Sequence, residues 1–388
     1  MNQEWNLDPI YNGFSDPAFA ADMTALADLA EQIQKFSADL SDMDSIRGLK
    51  EGIRLQEQFS ELVGKLASYA SLRQAANTRD PEAGSKMGQV MQLYSGVAAP
   101  LAAWKDWASK LPDLQEIVVK DEILRDYAFF FKNLAESSKY LLPGMGEAIM
   151  AKMGLSGGSA WSDLQQYLTS TVPVSYNGDT TNLSSIRNLA YDANPSVRKA
   201  AYEAEIACYD RIKDSVAFAL NSIKLETISD CQLRGYASPL ERTLKHSDMK
   251  QETLDAMLGA MDEYLPKFWQ YLKAKGKALG HENGLPWYDL FAPMGASSTK
   301  FTAEDSREYL VNLFAEFDSQ LSNMVAEAYD NAWIDFYPRD GKAGGAFCAG
   351  VECLGESRIL TNFDGMFTDV VTLAHELGHA FHNLCIKD

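Results

Sequence analysis

The stretch Asp369-Val370-Val371-Thr372-Leu373-Ala374-His375-Glu376-Leu377-Gly378-His379-Ala380-Phe381-His382 carries the pattern H-E-x-x-H at His375, Glu376 and His379. Residues four apart on a helix lie about 40° apart around the axis and about 6 Å along it, so both imidazoles can meet one tetrahedral metal ion. Glu376 follows the first imidazole directly, the position from which a carboxylate acts as base toward a metal-activated water. Leu373, Leu377, Phe381 and Leu384 recur at helical spacing as an apolar stripe. His375 is about 200° around the helix from Leu373, so the ligand face points away from the packing face. Thr368 is expected to cap the helix, with Asp369 in its first turn, where the helix dipole favours an anion. His382 lies about 10 Å along the axis from His375, too far to share an ion with both histidines. It also misses the spacing of the longer H-E-x-x-H-x-x-G-x-x-H pattern and reads as a packing or cleft-lining residue.

Immediately upstream, 333–361 is the one sustained non-helical stretch of the C-terminal half. Trp333–Phe336, Ala346–Gly350 and Ser357–Thr361 read as short strands. Gly341-Lys342 lacks the glycine spacing and the Ser/Thr of a phosphate-binding loop, so the glycines around it are assigned to turns flanking a strand. Farther out the pattern is helical. Leu26, Leu29, Ile33 and Phe36 form one apolar stripe, and Leu55, Phe59, Leu62, Leu66 and Tyr69 form another. Asp16-Pro17 starts a helix, and Pro100 predicts a break between Val90 and Trp104. Gly157-Gly158-Ser159 marks a linker or a helix start, and Val172–Val174 followed by Asn177-Gly178 a small hairpin. Asn194-Pro195 opens a long helix expected to run towards Ser229. A further helix over about 249–279 carries Leu254, Met257, Met261, Leu265 and Phe268 on one face, with a kink or split expected at Pro266. Pro286, Pro293, Gly295 and Ser297-Ser298-Thr299 mark a loop before a helix starting near Ala303. The fold class is mainly α. The division expected is 1–182, a helical domain ending in the hairpin, and 183–388, the part that carries the metal motif.

The 388 residues hold 35 Lys+Arg against 54 Asp+Glu, a net charge of −19. Such a field repels phosphate backbones, which argues against a general nucleic-acid binder. Five scattered cysteines without a CxxC pair exclude a disulfide framework and a cysteine zinc site, and point to a reducing compartment. No basic and apolar leader opens the sequence, and no apolar run reaches membrane-spanning length. The expectation is a cytoplasmic protein without a membrane segment. His246 and His281 read as surface or loop residues.

The motif helix resembles the active-site helix of the M3 metallopeptidases, specifically the oligoendopeptidase F branch. Gly345–Gly350, Asn362-Phe363-Asp364-Gly365, Trp287–Pro293, Arg234-Gly235-Tyr236 and the opening Trp5-Asn6-Leu7 are similar to that family's pattern too, in the same order along essentially the whole chain. The resemblance implies a mostly helical, clam-like fold around a deep channel, with a small sheet edge beside the zinc. It implies one Zn²⁺ per complete active site, held in part by His375 and His379, with Glu376 catalytic. It also implies that Gly345, Ala346, Phe347 and Cys348 border the channel and pair with peptide backbone by strand addition. The substrates implied are short oligopeptides, because a narrow channel excludes folded proteins.

The family's third zinc ligand, a Glu on a later helix, has no counterpart before Asp388, and neither Glu352 nor Glu356 matches its position. The chain is therefore expected to be an N-terminal fragment of a longer zinc endopeptidase, inactive alone, weakly metal-binding and prone to self-association through the surface that truncation exposes. The alternative from another class is a non-catalytic helical peptide-binding scaffold. A different H-E-x-x-H hydrolase is disfavoured by the upstream motifs.

Overall fold

A computed structural model describes residues 3–295 and 300–386; the Ser297-Ser298-Thr299 run of the expected loop lies outside them. The N-terminal helices are α1 (Pro17–Ala38), α2 (Ser45–Ala76), α3 (Pro81–Gly96), α4 (Ala98–Ser109), α5 (Leu114–Lys120), α6 (Ala128–Ser137), α7 (Gly144–Gly154) and α8 (Ala160–Thr171). Asp16 caps α1 by accepting from the Ala18 N–H, with Pro17 in the first turn, as the sequence predicts. The break ahead of Trp104 falls at Val97, which leaves Pro100 in the first turn of α4, where its missing N–H is harmless. A π-type turn with non-helical Gly157 joins α7 to α8. Around α1 and α2 the first core forms on an aromatic cluster. Tyr11, Phe14, Phe19 and Tyr69 meet edge to face with centroids 5.1–5.3 Å apart. Trp104 is fully buried above Gly52 and donates its indole N–H to the Gly48 carbonyl at 3.2 Å.

The expected hairpin is β1 (Val174–Tyr176) and β2 (Asp179–Thr181), with Asn177 and Gly178 both at positive φ in its turn. Next come α9 (Leu183–Asn188), α10 (Pro195–Tyr209) and α11 (Lys213–Arg234). The single helix expected over 195–229 is thus two. Arg211 and Ile212 donate to Cys208 and Tyr209 in a tight turn that carries Ile212 into a small core with Ala201 and Cys208. Gly235, at φ 83°, closes α11, and Arg234 pairs with Glu147 at 2.7 Å and Asp230 at 2.6 Å.

After α12 (Pro239–His246), α13 (Gln251–Ala278) runs through Pro266 as one continuous helix, so the expected split is not seen. Its apolar stripe is not core. Met257, Met261, Leu265 and Phe268 are all exposed, and the helix makes little contact with the rest of the described chain. The C-terminal part is α14 (Ala303–Ala315), α15 (Ser319–Asp330), β3 (Ile334–Asp335), β4 (Phe347–Val351), β5 (Glu356–Leu360) and α16 (Phe367–Cys385). The strands form one sheet in the order β3-β5-β4, parallel between β3 and β5 and antiparallel between β5 and β4. β4 is therefore an edge strand.

Gly341-Lys342 has a structural role. Lys342 is buried and donates to Asp335 Oδ1 at 2.6 Å and to the Tyr337 carbonyl at 2.9 Å, while Arg339 holds Asp335 from the other side. No described helix is long and apolar enough to cross a membrane.

Candidate metal centre

Helix α16 sorts its residues by face. Val370, Leu373, Leu377 and Ala380 are buried against α14, α15 and the sheet, while His375 and His379 are exposed on the opposite side. Phe381 packs on this second core, but Leu384, the last residue of the expected stripe, is 42% exposed. The cap also differs from expectation. Met366 is the N-cap residue, and Asp369 reaches back to accept from the Met366 N–H at 3.0 Å and the Asp364 N–H at 2.9 Å. Gly365, at φ 82°, makes the turn that lets it do so, and Thr368 falls inside the first turn. Burial holds the Asp369 carboxyl above its ordinary range, against the pull of those two amides.

His375 Nε2 and His379 Nε2 lie 3.1 Å apart, with the rings edge to face. Two imidazoles bound at about 2.0–2.1 Å to one tetrahedral zinc have their nitrogens about 3.3–3.4 Å apart. The pair therefore fits two positions of such an ion, and the donor type fits zinc. Among the described residues no third His, Cys, Asp or Glu joins them. Glu376, by contrast, is 7% exposed, at the junction of α16 and the sheet. The Cys348 thiol of β4 lies close enough to feel its charge. Burial pushes that thiol up to about 11, with Ser357 opposing and Glu376 reinforcing the shift. His382 is exposed farther along the helix. His281 binds Asp289 at 2.6 Å, and His246 meets the Tyr236 hydroxyl at 3.3 Å, so neither approaches the centre. Glu356 is engaged with Arg358 at 2.8 Å.

The four residues expected along the channel divide into two pairs. Phe347 and Cys348 begin the edge strand, Phe347 turned to the first core and Cys348 to α16. Gly345, at φ 78°, and Ala346 form part of the wall of a cavity of about 530 Å³. Asn362 steadies this corner by donating to the carbonyls of Ala343 at 3.1 Å and Gly345 at 2.8 Å. Thr368, Asp369 and Thr372 of α16 line the same cavity. Thr368, Thr372, His375 and His379 fall within about 60° of helix surface, so the cavity lies on the imidazole face, beginning about one turn before His375. Its other walls, from 184–205 and 287–291, were not legible as a site, because no periodicity joins segments so far apart in sequence.

Residues 188–388 match the sequence profile of peptidase family M3, and 109–172 match that of Oligopeptidase F. Oligopeptidase PepF of Bacillus subtilis (strain 168) is 24% identical over 397 residues, covering 98% of this chain and 57% of the relative. Group B oligopeptidase PepB of Streptococcus agalactiae serotype III (strain NEM316) is 22% identical, covering 99% and 64%. Among solved structures, oligoendopeptidase-F from Enterococcus faecium superposes with a TM-score of 0.66 at 18% identity, covering 82% of this chain and 66% of that one. The chain thus spans 57% and 64% of the length of these two curated relatives.

Proposed function

The chain belongs to peptidase family M3, and from that premise we propose that it carries the zinc-binding helix and catalytic base of an endopeptidase acting on short oligopeptides in the cytoplasm. His375 and His379 would hold the ion, and Gly345, Ala346, Phe347 and Cys348 would border the substrate. The observation that carries this reading is the 3.1 Å convergence of the two Nε2 atoms on an exposed helix face, with Glu376 buried beside them. Zn²⁺ bound there would supply Lewis-acid polarisation of the scissile carbonyl and acidify a water.

The remaining work falls to this chain's own residues. The free edge of β4 offers backbone N–H and C=O groups that align an extended peptide. Glu376 takes a proton from the attacking water as the new C–O bond forms, and returns it to the amide nitrogen as the C–N bond breaks. Burial of Glu376 keeps bulk water from competing for that proton. We assign this chemistry to residues 183–388 and treat 1–182 as the helical N-terminal domain.

We also propose that residues 1–388 alone bind zinc weakly, through two imidazoles only, and are essentially inactive, since three protein ligands are the norm at catalytic zinc. Self-association of the chain is proposed through the end of α16, where Leu384 and Ile386 stay exposed. The test compares, in the longer protein proposed to contain this chain, Glu376→Gln with His375→Ala and His379→Ala in zinc content and in cleavage of a quenched oligopeptide. The expected result is that Glu376→Gln keeps its zinc and loses cleavage at least a hundredfold, while both histidine variants lose metal and activity together. Equal zinc loss in all three variants would remove Glu376 from the role of base. Stoichiometric zinc that survives mild dialysis, with full turnover, in residues 1–388 alone would refute the two-ligand proposal.

A further inference from the structure

We infer that the cavity flanking the imidazole face is a side-chain pocket that selects an aromatic residue of the peptide close to the scissile bond. The inference rests on the peptidase reading above and names the substrate class that reading leaves open. Its volume of about 530 Å³ lies within the usual range for ligand sites, about 300–1,000 Å³.

Three observations fix its chemistry. The first is aromatic surface left open to the cavity. Tyr191 and Phe291 pack as a tilted pair at 5.1 Å, and Tyr202 and Tyr288 do so at 6.0 Å. Trp287 and Phe291 remain 68% and 47% exposed, although aromatic rings ordinarily gain from being covered. The second is that the charges in the walls are already matched. Arg187 is bound to Glu205 at 2.8 Å, Arg198 to Asp289 at 2.7 Å, and Asp369 to two backbone amides at the start of α16. Among the described residues, each charged group of the walls already has a partner, so none is free to pair with a lysine or a glutamate side chain. The third is position. From Cys348, beside Glu376, back to Gly345 is three residues of chain, about 10 Å when extended. A peptide added to the β4 edge with its scissile bond near Glu376 therefore presents a side chain one to three residues away to the cavity.

The test needs no turnover, so it separates this inference from the peptidase reading. N-acetyl-phenylalaninamide, N-acetyl-glycinamide and N-acetyl-lysinamide are titrated against the 388-residue protein and followed by ligand-observed NMR. The phenylalanine amide is expected to bind about tenfold or more tightly than either of the others, as covering one aromatic side chain implies. Ala190→Phe, which fills the cavity from a half-buried wall position, should bring it down to the glycine level. Trp287→Ala, at an exposed position that should not disturb folding, should weaken it severalfold, while His375→Ala should leave it unchanged. Equal binding of the three amides, or phenylalanine binding indifferent to both pocket variants, overturns the inference. Selective binding by the 388-residue protein, alongside cleavage by the longer protein that Glu376→Gln leaves intact, would keep the pocket and sink the peptidase reading. Where cleavage occurs, the ratio of kcat/KM for phenylalanine- and glycine-containing peptides should fall towards one in Ala190→Phe.

Discussion

Gly365→Ala tests how α16 is aimed. Gly365 sits two residues ahead of the helix at φ 82°, and its carbonyl accepts from the Phe301 N–H at 2.8 Å. A Cβ built there would stand 2.6 Å from the Phe301 carbonyl oxygen, closer than real side chains approach. Two costs add. The left-handed backbone costs an alanine about 1 kcal/mol. Relieving the close contact requires the 300–301 segment to retreat, which weakens the Phe301–Gly365 hydrogen bond by about 1 kcal/mol and loosens packing behind it. The expected loss is about 2–3 kcal/mol, read as a lower urea midpoint at unchanged slope. Because Asp369 uses the same turn to reach the Met366 and Asp364 amides, zinc affinity should fall as well, with both histidines intact. A loss below about 0.5 kcal/mol, within the range of a neutral surface change, would refute the argument that this turn is held by close backbone approach.

The other expectations concern what supports the site from behind. Burial pushes Lys342 down to about 8 from an ordinary 10.5. Between about pH 8 and 10 the unfolded chain therefore holds more protons than the folded one, and this residue's contribution to stability rises with pH. Above pH 10 the tyrosines raised to about 12, Tyr127, Tyr209 and Tyr329, reverse the sign. Lys342→Met should abolish the rise and cost about 3–5 kcal/mol by leaving Asp335 half-matched, which urea titrations from pH 7 to 10 would measure. In the first core, Trp104→Ala should cost about 3–5 kcal/mol. Gly52→Ala should also destabilise strongly, because its Cβ would fall 2.1 Å from the Trp104 ring. The double variant should lose clearly less than the sum of the two, and strict additivity in a thermal or urea cycle would contradict that contact.

The parts legible from sequence were those governed by local rules. Asp16-Pro17, the Asn177-Gly178 turn and the three short strands each depend on neighbours within a few residues, and they fold where the pattern places them. The H-E-x-x-H face was legible because its geometry is fixed by the helix alone. Local pattern is overridden where distant groups compete. Periodicity continues across 210–212, but Ile212 is drawn into a core built by β1 and α9, so the helix breaks. Thr368 has the chemistry of a cap, yet Asp369 reaches the amides first because Gly365 turns the chain beneath it. The α13 stripe has a core-like period, and nothing local distinguishes a face that packs from one that stays exposed. The aromatic cavity was invisible for the same reason, being assembled from four separated segments.

What makes a solvent-facing pair of imidazoles rigid is the sheet, which acts as a wall between two cores. On β5, Ile359 faces the second core with α16 and Leu360 faces the first, and on β4 the alternation is Cys348 towards α16 and Phe347, Ala349 and Val351 towards the N-terminal helices. The wall is tied from both ends. Buried Arg358 donates to the Asn6 carbonyl at 2.9 Å, and the Phe336 N–H donates to Gln3, so the N-terminal segment straps β5 and the end of β3. The end of α2 is joined to the loop before β4 through Ala343 to Ala75 at 2.8 Å, Thr78 to Gly341 at 2.7 Å and Arg339 to Ala76 at 3.1 Å. Shifting β4 or β5 by one residue would exchange apolar contacts between both cores at once, so the register is held from two sides. The position of Cys348 relative to Glu376, and hence of any peptide on the β4 edge relative to the imidazoles, is set by that register. The large N-terminal core thus contributes to the site without supplying a residue to it: it fixes the strand against which α16 is measured.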